Sequence, residues 1–485
     1  MRSPAAKILR FSAVLVLANV AGGGVRADTI YLKNGRKITA QHVVQDHGQV
    51  SYETSAGWLS LPLSIIDRVT HDDSSPISTV GTPADRAANL PIAPPSAVAP
   101  ASREAAAAAV RDGSIDVSLL DRLESEATAN PSPSAVARVV AAETAAAQFE
   151  ISVGDFARAV DHYNTGLRFD PNNSPLLLEA AYLHLRRSEY TAALGLLDKA
   201  RAIDGDAAEV AKLSGWAYYG LNRVADAVTQ WKLAMKLNPD EETRHALEKA
   251  ERDAQEESEY REGETPHFRL KYNGAAAPDL ARDVLRTLET QFAEISETLD
   301  YSPPEPIGVI LYTNQTFMDI TRAPSWTGAL NDGRMRVPVE GLNSVTDELA
   351  RVLKHELTHS FISQKTGGRC PVWLQEGIAQ YMEGKRSGRN AGALYAAYER
   401  HMEFSLQSYE SSWLTLPSDA ASVAYSWSLA VVESIVTVNG VADLERILER
   451  LAAGSTPEDA CRAVLHENYA ELMLSTVQFL HKAYQ

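Results

Sequence analysis

Residues 351–384 read RVLKHELTHSFISQKTGGRCPVWLQEGIAQYMEG, and this stretch decides how the C-terminal half of the chain is organised. Two segments with helical apolar spacing flank Gly367-Gly368 and Pro371, so two helices joined by a turn are predicted: glycines stop the first and proline starts the second. The first opens at Ser344 with Asp347 three residues on, a capping-box arrangement, and runs to Gly367-Gly368. The second runs from Pro371 to Gly384. On the first helix stand His355-Glu356-Leu357-Thr358-His359. Residues four apart are rotated by about 400°, so both imidazoles leave one face and can hold one ion. Glu356 points beside that ion, where a carboxylate can take a proton from water. A catalytic zinc takes three protein ligands and keeps one open position. Glu376, 17 residues past His359 and beyond the turn, is the expected third ligand. Gly377 should cost about 1 kcal/mol against alanine inside a helix, which suits a backbone passing close to the histidine helix.

Outward from this pair, a strand at His267–Tyr272 is followed by an amphipathic helix from Ala277 to Leu299 and an apolar strand at Ile307–Tyr312. Gly333–Val339 alternates, and Pro338 suits an edge strand. That order predicts an α+β domain over 262–485. Ala424-Tyr425-Ser426-Trp427-Ser428 opens an apolar helix, and further helices around Gly440 and Gly454 form a helical C-terminal subdomain. His401, His466 and His481 lack ligand spacing and are expected at the surface.

The His-Glu-x-x-His motif, together with Trp373-Leu374-x-Glu376-Gly377-x-Ala379-x-Tyr381, resembles the gluzincin metallopeptidases, the thermolysin-like group, over residues 262–485. The resemblance implies hydrolysis of a peptide bond by water activated on one zinc ion, with Glu356 as general base. It implies an oxyanion-stabilising tyrosine, for which Tyr425 is the match. It also implies an extended substrate lying antiparallel to an edge strand, with Gly333–Val339 the candidate. Thermolysin has an aspartate four residues after its third ligand that orients one histidine, whereas this chain has Gln380. The surroundings of the ligands must therefore differ, and Gln380 could bond a ligand histidine more weakly.

Toward the N-terminus the chain carries an internal repeat. Gly154-Asp155-Phe156 with Ala159 recurs as Ser188-Glu189-Tyr190 with Ala193 and as Asn222-Arg223-Val224 with Ala227, in steps of 34 residues. Small residues at fixed places let paired helices pack closely, and the pattern resembles the tetratricopeptide repeat. An all-α solenoid is expected over 113–255, with the repeats at about 137–250, and the resemblance implies a protein partner or substrate on its concave face. The charged stretch Asp240–Glu264 reads as a solvated connecting helix.

Residues 72–112, rich in Pro, Ala and Ser, read as a linker. Residues 28–71 read as a small β barrel or sheet, since Asn34-Gly35 and Asp46-His47-Gly48 separate alternating runs. Residues 1–27 follow the order of a signal peptide: basic Arg2, Lys7 and Arg10, apolar Phe11–Val20, then small residues to Ala27. Export to the periplasm or the medium is expected, with anchoring by an uncleaved signal as the variant and no later membrane span. Cys370 and Cys461 are compatible with one disulfide there.

Of 485 residues, 45% are hydrophobic and 22% charged, enough apolar material for several cores. Lys plus Arg (46) against Asp plus Glu (63) leaves −17, which argues against a nucleic-acid partner or a polybasic membrane surface. A multidomain zinc metallopeptidase is the expectation. Its alternatives are a catalytically silent zinc-fold scaffold whose repeats bind proteins, or a zinc amidase acting on cell-wall peptides.

Overall fold

The computed structural model describes residues 27–32, 37–40, 43–46, 49–54, 57–62, 66–72, 100–111, 113–273, 278–313, 330–331, 333–339, 342–400, 405–410, 413 and 418–484. The signal-peptide expectation, most of the expected linker, the loop before Leu330 and His401 lie outside these residues. The N-terminal strands and the rest of the chain form two compact units.

In the first unit, β1 (Ala27–Leu32), β2 (Lys37–Ala40) and β6 (Ile66–Asp72) form one antiparallel sheet in the order β2-β1-β6. β3 (Val43–Asp46), β4 (Gln49–Thr54) and β5 (Gly57–Pro62) form a second, in the order β3-β4-β5. Tyr31 faces Lys37 across the Asn34-Gly35 position, as a short hairpin connection requires. The pairings among the described residues are two three-stranded sheets, not a closed barrel.

The segment expected to be linker instead becomes helical at its end. Helix α1 (Pro100–Ala109) leads into a hairpin of β7 (Val110–Arg111) and β8 (Ser114–Ile115). An alanine run has the highest helix propensity, and Ala105 and Ala109 are small enough to bury against the following helices. Lack of long apolar periodicity hid the helix, since its buried face is made of methyl groups.

Helices α2 (Val117–Ala129), α3 (Pro133–Val153), α4 (Phe156–Phe169), α5 (Ser174–Arg186), α6 (Tyr190–Asp204), α7 (Ala208–Gly220), α8 (Val224–Leu237) and α9 (Glu241–Glu256) follow. The pairs α3/α4, α5/α6 and α7/α8 are the repeats. Ala159, Ala193 and Ala227 are fully buried between them. The turn inside each pair is left-handed, at Gly154 (φ 85°), Ser188 (φ 60°) and Asn222 (φ 60°). The 34-residue period is thus the period of a helix-ending turn as well as of the packing alanines.

The C-terminal domain is built on a five-stranded sheet in the order β12-β13-β11-β10-β9. Its strands are β9 (Arg261–Glu264), β10 (Phe268–Tyr272), β11 (Ile307–Tyr312), β12 (Leu330–Asn331) and β13 (Met335–Pro338). β10, β11 and β13 run parallel, with α10 (Pro278–Leu299) as the crossover between the first two. β13 is not the edge, contrary to expectation: β12 covers it, with Asn331 opposite Met335. α11 (Asp347–Lys365) packs on this sheet at β12 and β13, and α12 (Val372–Met382) packs on α11, followed by α13 (Ala391–Glu399), α14 (Ser418–Val438), α15 (Val441–Ala452), α16 (Pro457–Leu465) and α17 (Tyr469–Tyr484). The cap of α11 is Thr346, whose hydroxyl accepts from Leu349 N at 3.1 Å, not Ser344. The fully buried Trp373, Trp413 and Trp427 anchor the core, each worth about 3–5 kcal/mol against alanine. By length and composition Ala420–Val438 could cross a membrane, which the sequence reading did not foresee. Here it is a core helix, with Trp427, Ala430, Val431 and Val432 fully buried. Cys370 and Cys461 are buried free thiols in the same core.

Alternation along β13 explains how the repeats are attached. Met335 and Val337 face the helices, so Arg334 and Arg336 face the other way, and that face is covered by the repeat region instead of water. Arg336 donates both terminal nitrogens to Asp253 (3.0 and 2.7 Å), and Arg334 donates to Asp253 (3.1 Å), Glu257 (2.7 and 2.6 Å) and Asn222 (2.7 Å). Tyr219 and Tyr312 complete the buried network. The stretch read as solvated thus sends Asp253 and Glu257 into the protein. The other repeat turns are held as well. Arg369 donates to the carbonyl of Gly154 and to those of Leu451 and Ala452, and Glu305 accepts from Thr191 N at 3.0 Å. The side of the solenoid that carries the turns inside its helix pairs is therefore fastened along the C-terminal domain.

Candidate metal centre

α11 and α12 bring His355, His359 and Glu376 together. His355 Nε2 lies 3.1 Å from His359 Nε2, and Glu376 Oε2 lies 3.5 and 3.6 Å from the two nitrogens. An ion with tetrahedral bonds of about 2.0–2.2 Å separates its ligand atoms by roughly 3.3–3.5 Å. The two separations from Glu376 sit at about that spacing, and the one between the histidine nitrogens is a few tenths of an ångström shorter. Glu376 Oε2 is buried without a hydrogen-bond partner, as an atom reserved for an ion would be. Two histidine nitrogens and one carboxylate oxygen are a donor set suited to zinc.

Glu356 is buried beside the cluster, and its Oε2 also lacks a partner. Burial pushes its carboxyl up to about 7, and the charges of Glu376 and Glu383 push the same way. Burial opposes a charge on His355, yet Glu376 and Glu383 outweigh it and lift His355 to about 10. Burial holds His359 down at about 4. Burial and the neighbouring carboxylates thus push the two imidazoles in opposite directions.

Asn331 ties the sheet edge to the site. Its Nδ2 donates to Glu356 O (2.8 Å) and Ser360 Oγ (2.7 Å), clamping α11 against β12. Gly377 has a reason different from the expected one: a Cβ there would meet Ser428 O at 2.3 Å, so the close approach is to α14, not to the histidine helix. That approach brings α14 and Tyr425 to the site. Burial raises the Tyr425 hydroxyl pKa well above its ordinary value, and the carboxylates of Glu376 and Glu356 add to the effect. Trp413 packs edge-on against its ring at 5.1 Å.

Gln380 does not take the place expected of it. Its amide nitrogen donates to Glu376 O (3.1 Å) and Tyr425 O (3.0 Å), joining α12 to α14. The carboxylate next to His355 is Glu383, with Oε1 3.3 Å from Nδ1. Neither Glu383 nor Asn331 belongs to the motif; the one sequence sign of Glu383 is its place two helical turns after Glu376. His466 and His481 are exposed and apart from the cluster.

Fold and site together describe a helical-repeat protein with a peptidase-like His-His-Glu centre. Residues 289–476 match the family model of the Peptidase MA superfamily, and residues 150–216 match that of the tetratricopeptide repeat. The chain thus carries a Peptidase MA superfamily domain behind tetratricopeptide repeats. No curated protein matches the chain.

Proposed function

We propose that this protein is an exported metallopeptidase that holds one zinc ion on His355, His359 and Glu376 and uses Glu356 as its general base. The observation that carries the reading is the spacing of 3.1–3.6 Å among three ligand atoms, with an unpartnered, buried Glu356 beside them. When bound, zinc supplies Lewis acidity toward a substrate carbonyl and toward water. Glu356, raised to about 7, accepts the proton of the attacking water as the oxygen joins the carbonyl carbon. The same carboxyl then delivers that proton to the amide nitrogen, so the C–N bond breaks; the second proton of the water passes from the new carboxyl to the amine, giving a carboxylate and an ammonium group. Tyr425, kept protonated by burial and two nearby carboxylates, donates its O–H toward the carbonyl oxygen as charge collects there. The substrate backbone runs along the sheet edge at β12, the strand that Asn331 fastens to Glu356.

The basic, apolar and small-residue order of residues 1–27 supports export. With the turns inside the helix pairs fastened to the domain, the remaining faces of the solenoid are those that receive a protein partner or the substrate chain.

The test is zinc content together with cleavage of a peptide library, for the parent and Glu356→Gln. Both should hold one zinc, and the variant should cleave about 10²–10⁴-fold more slowly. A parent without zinc, or equal cleavage by the two, would overturn the reading.

A further inference from the structure

The hairpin of β12 and β13 is held from outside the sheet on two sides. β12 is two residues long and meets β13 at Leu330 opposite Arg336 and Asn331 opposite Met335. A strand that short makes too few ladder bonds to fix its own place. On one side the buried Asn331 spends its amide nitrogen on Glu356 O and Ser360 Oγ, and its oxygen accepts from Gly333 N at 3.1 Å. Three residues on, the fully buried Arg334 reaches the other way. Its Nε donates to Asn222 Oδ1 (2.7 Å), one terminal nitrogen to Asp253, and the other to both oxygens of Glu257. A guanidinium is a rigid planar fork, so an acceptor on each of its three nitrogens fixes its plane as well as its place. All three acceptors belong to the repeat side of the junction: the turn between α7 and α8, helix α9, and the residue that follows α9. That turn also presses on the neighbouring strands. Arg269 of β10 donates to Leu221 O at 3.1 Å, and a Cβ on Gly308 of β11 would stand 3.1 Å from the Asn222 side chain.

We propose that the repeats are a working part of the peptidase: Asn222, acting through Arg334, is a positioning residue that holds the β12–β13 hairpin where an extended substrate can pair with β12. The inference rests on the proposed reading of β12 as the substrate edge. A peptide added to a strand edge is bound by N–H···O bonds that want about 2.7–3.2 Å and near-linear geometry, so a hairpin displaced by about an ångström loses them. Without Asn222 the Nε–H of Arg334 is a buried donor that must find another acceptor, and the guanidinium can turn to one only by carrying the hairpin with it. The metal ligands stand on α11 and α12, not on the hairpin, so its displacement weakens the hold on substrate and leaves the zinc in place. Asn222 also holds a left-handed turn, at φ 60°. Glycine adopts that conformation without cost, so a glycine there removes the acceptor and keeps the turn.

The test uses the full chain and a peptide that the parent cleaves. KM, kcat, zinc content and thermal melts are measured for the parent, Asn222→Gly, Asn222→Asp and Glu305→Ala. Asn222→Gly should raise KM about 3–30-fold with kcat and zinc content unchanged, the mark of a lost hold on the substrate strand. Asn222→Asp keeps an acceptor for Arg334 and should return KM to the parent's value. Glu305→Ala cuts the bond to Thr191 N, a junction contact that does not touch the hairpin, and should leave KM as it is. If Asn222→Gly melts earlier with the parent's KM, the bond only fastens the repeats, and the inference is overturned while the zinc reading stands. It is overturned equally if kcat falls with KM unchanged, or if Asn222→Asp or Glu305→Ala raises KM as much as Asn222→Gly, since general loosening then explains the change. A parent that cleaves no peptide defeats the peptidase reading, and the inference with it. Should Asn222→Gly fail to fold, Arg334→Lys, which loses the bond to Asn222 and keeps a cation beside Glu257, decides by the same KM criterion.

Discussion

Asp253→Asn is the substitution whose consequence the structure defines most sharply. The side chain is fully buried, and its two oxygens accept four hydrogen bonds, from Arg336 (3.0 and 2.7 Å), Arg334 (3.1 Å) and Tyr219 (2.6 Å). Burial alone would raise its pKa, but the guanidiniums of Arg336 and Arg334 outweigh burial and hold it at about 2. Against an unfolded value near 3.9 that is about 2 units, or on the order of 2.5 kcal/mol in favour of the ionised folded form. The amide of asparagine keeps the shape and removes the charge, and turns one acceptor into a donor facing guanidinium N–H groups. Breaking a buried pair in this way costs about 3–5 kcal/mol, so the loss at pH 7 should fall in that range, measured by urea unfolding followed by far-ultraviolet circular dichroism. The pH dependence follows in sign. A depressed folded pKa contributes stability that is complete above about 4 and disappears as the pH falls through about 2. The parent should therefore lose stability more steeply than Asp253→Asn between pH 4 and 2. A loss under about 1 kcal/mol at pH 7, or parallel acid profiles, would refute the claim that this network fastens the repeats to the sheet.

Zinc affinity of the parent should rise about tenfold per pH unit from pH 7 toward 9, because His355, lifted to about 10 without metal, must lose a proton to ligate; an affinity that is flat over this range in chelator competition would show that His355 is not charged in the metal-free protein. Gly377→Ala places a methyl carbon 2.3 Å from Ser428 O, so α12 and α14 must move apart. The expected cost is about 1–3 kcal/mol in thermal or urea unfolding with weaker zinc retention, and unchanged values for both would contradict the close approach.

Much of the site was legible because its chemistry is written in one helix and the start of the next. The i, i+4 spacing of His355 and His359 depends only on helix geometry, and Glu376 follows because the Gly367-Gly368 turn and Pro371 return the chain across the first helix. The repeat was legible for a similar reason: Ala159, Ala193 and Ala227, and the turns at Gly154, Ser188 and Asn222, recur at a period set by one helical pair. These features are local, and local geometry follows from the order of residues.

Features that depend on which surfaces meet were not available in that way. Gly333–Val339 read as an alternating edge strand and Asp253 and Glu257 as part of a solvated helix, with no sign that Arg334 and Arg336 meet them. Only their juxtaposition makes them a buried network, since pairing is what lets charges leave water. The edge strand moved from β13 to β12 because a two-residue strand leaves almost no pattern. Gly377, Gln380 and Glu383 share one short helix and its cap, and the sequence could say only that they lie near Glu376. Which of them meets α14, which joins two backbones and which reaches His355 depends on the placement of a helix some fifty residues further along. The sequence by itself determined the repeat and the candidate ligands and base; the tertiary structure decided what surrounds and aims them, because orientation comes from contacts between segments distant in the chain.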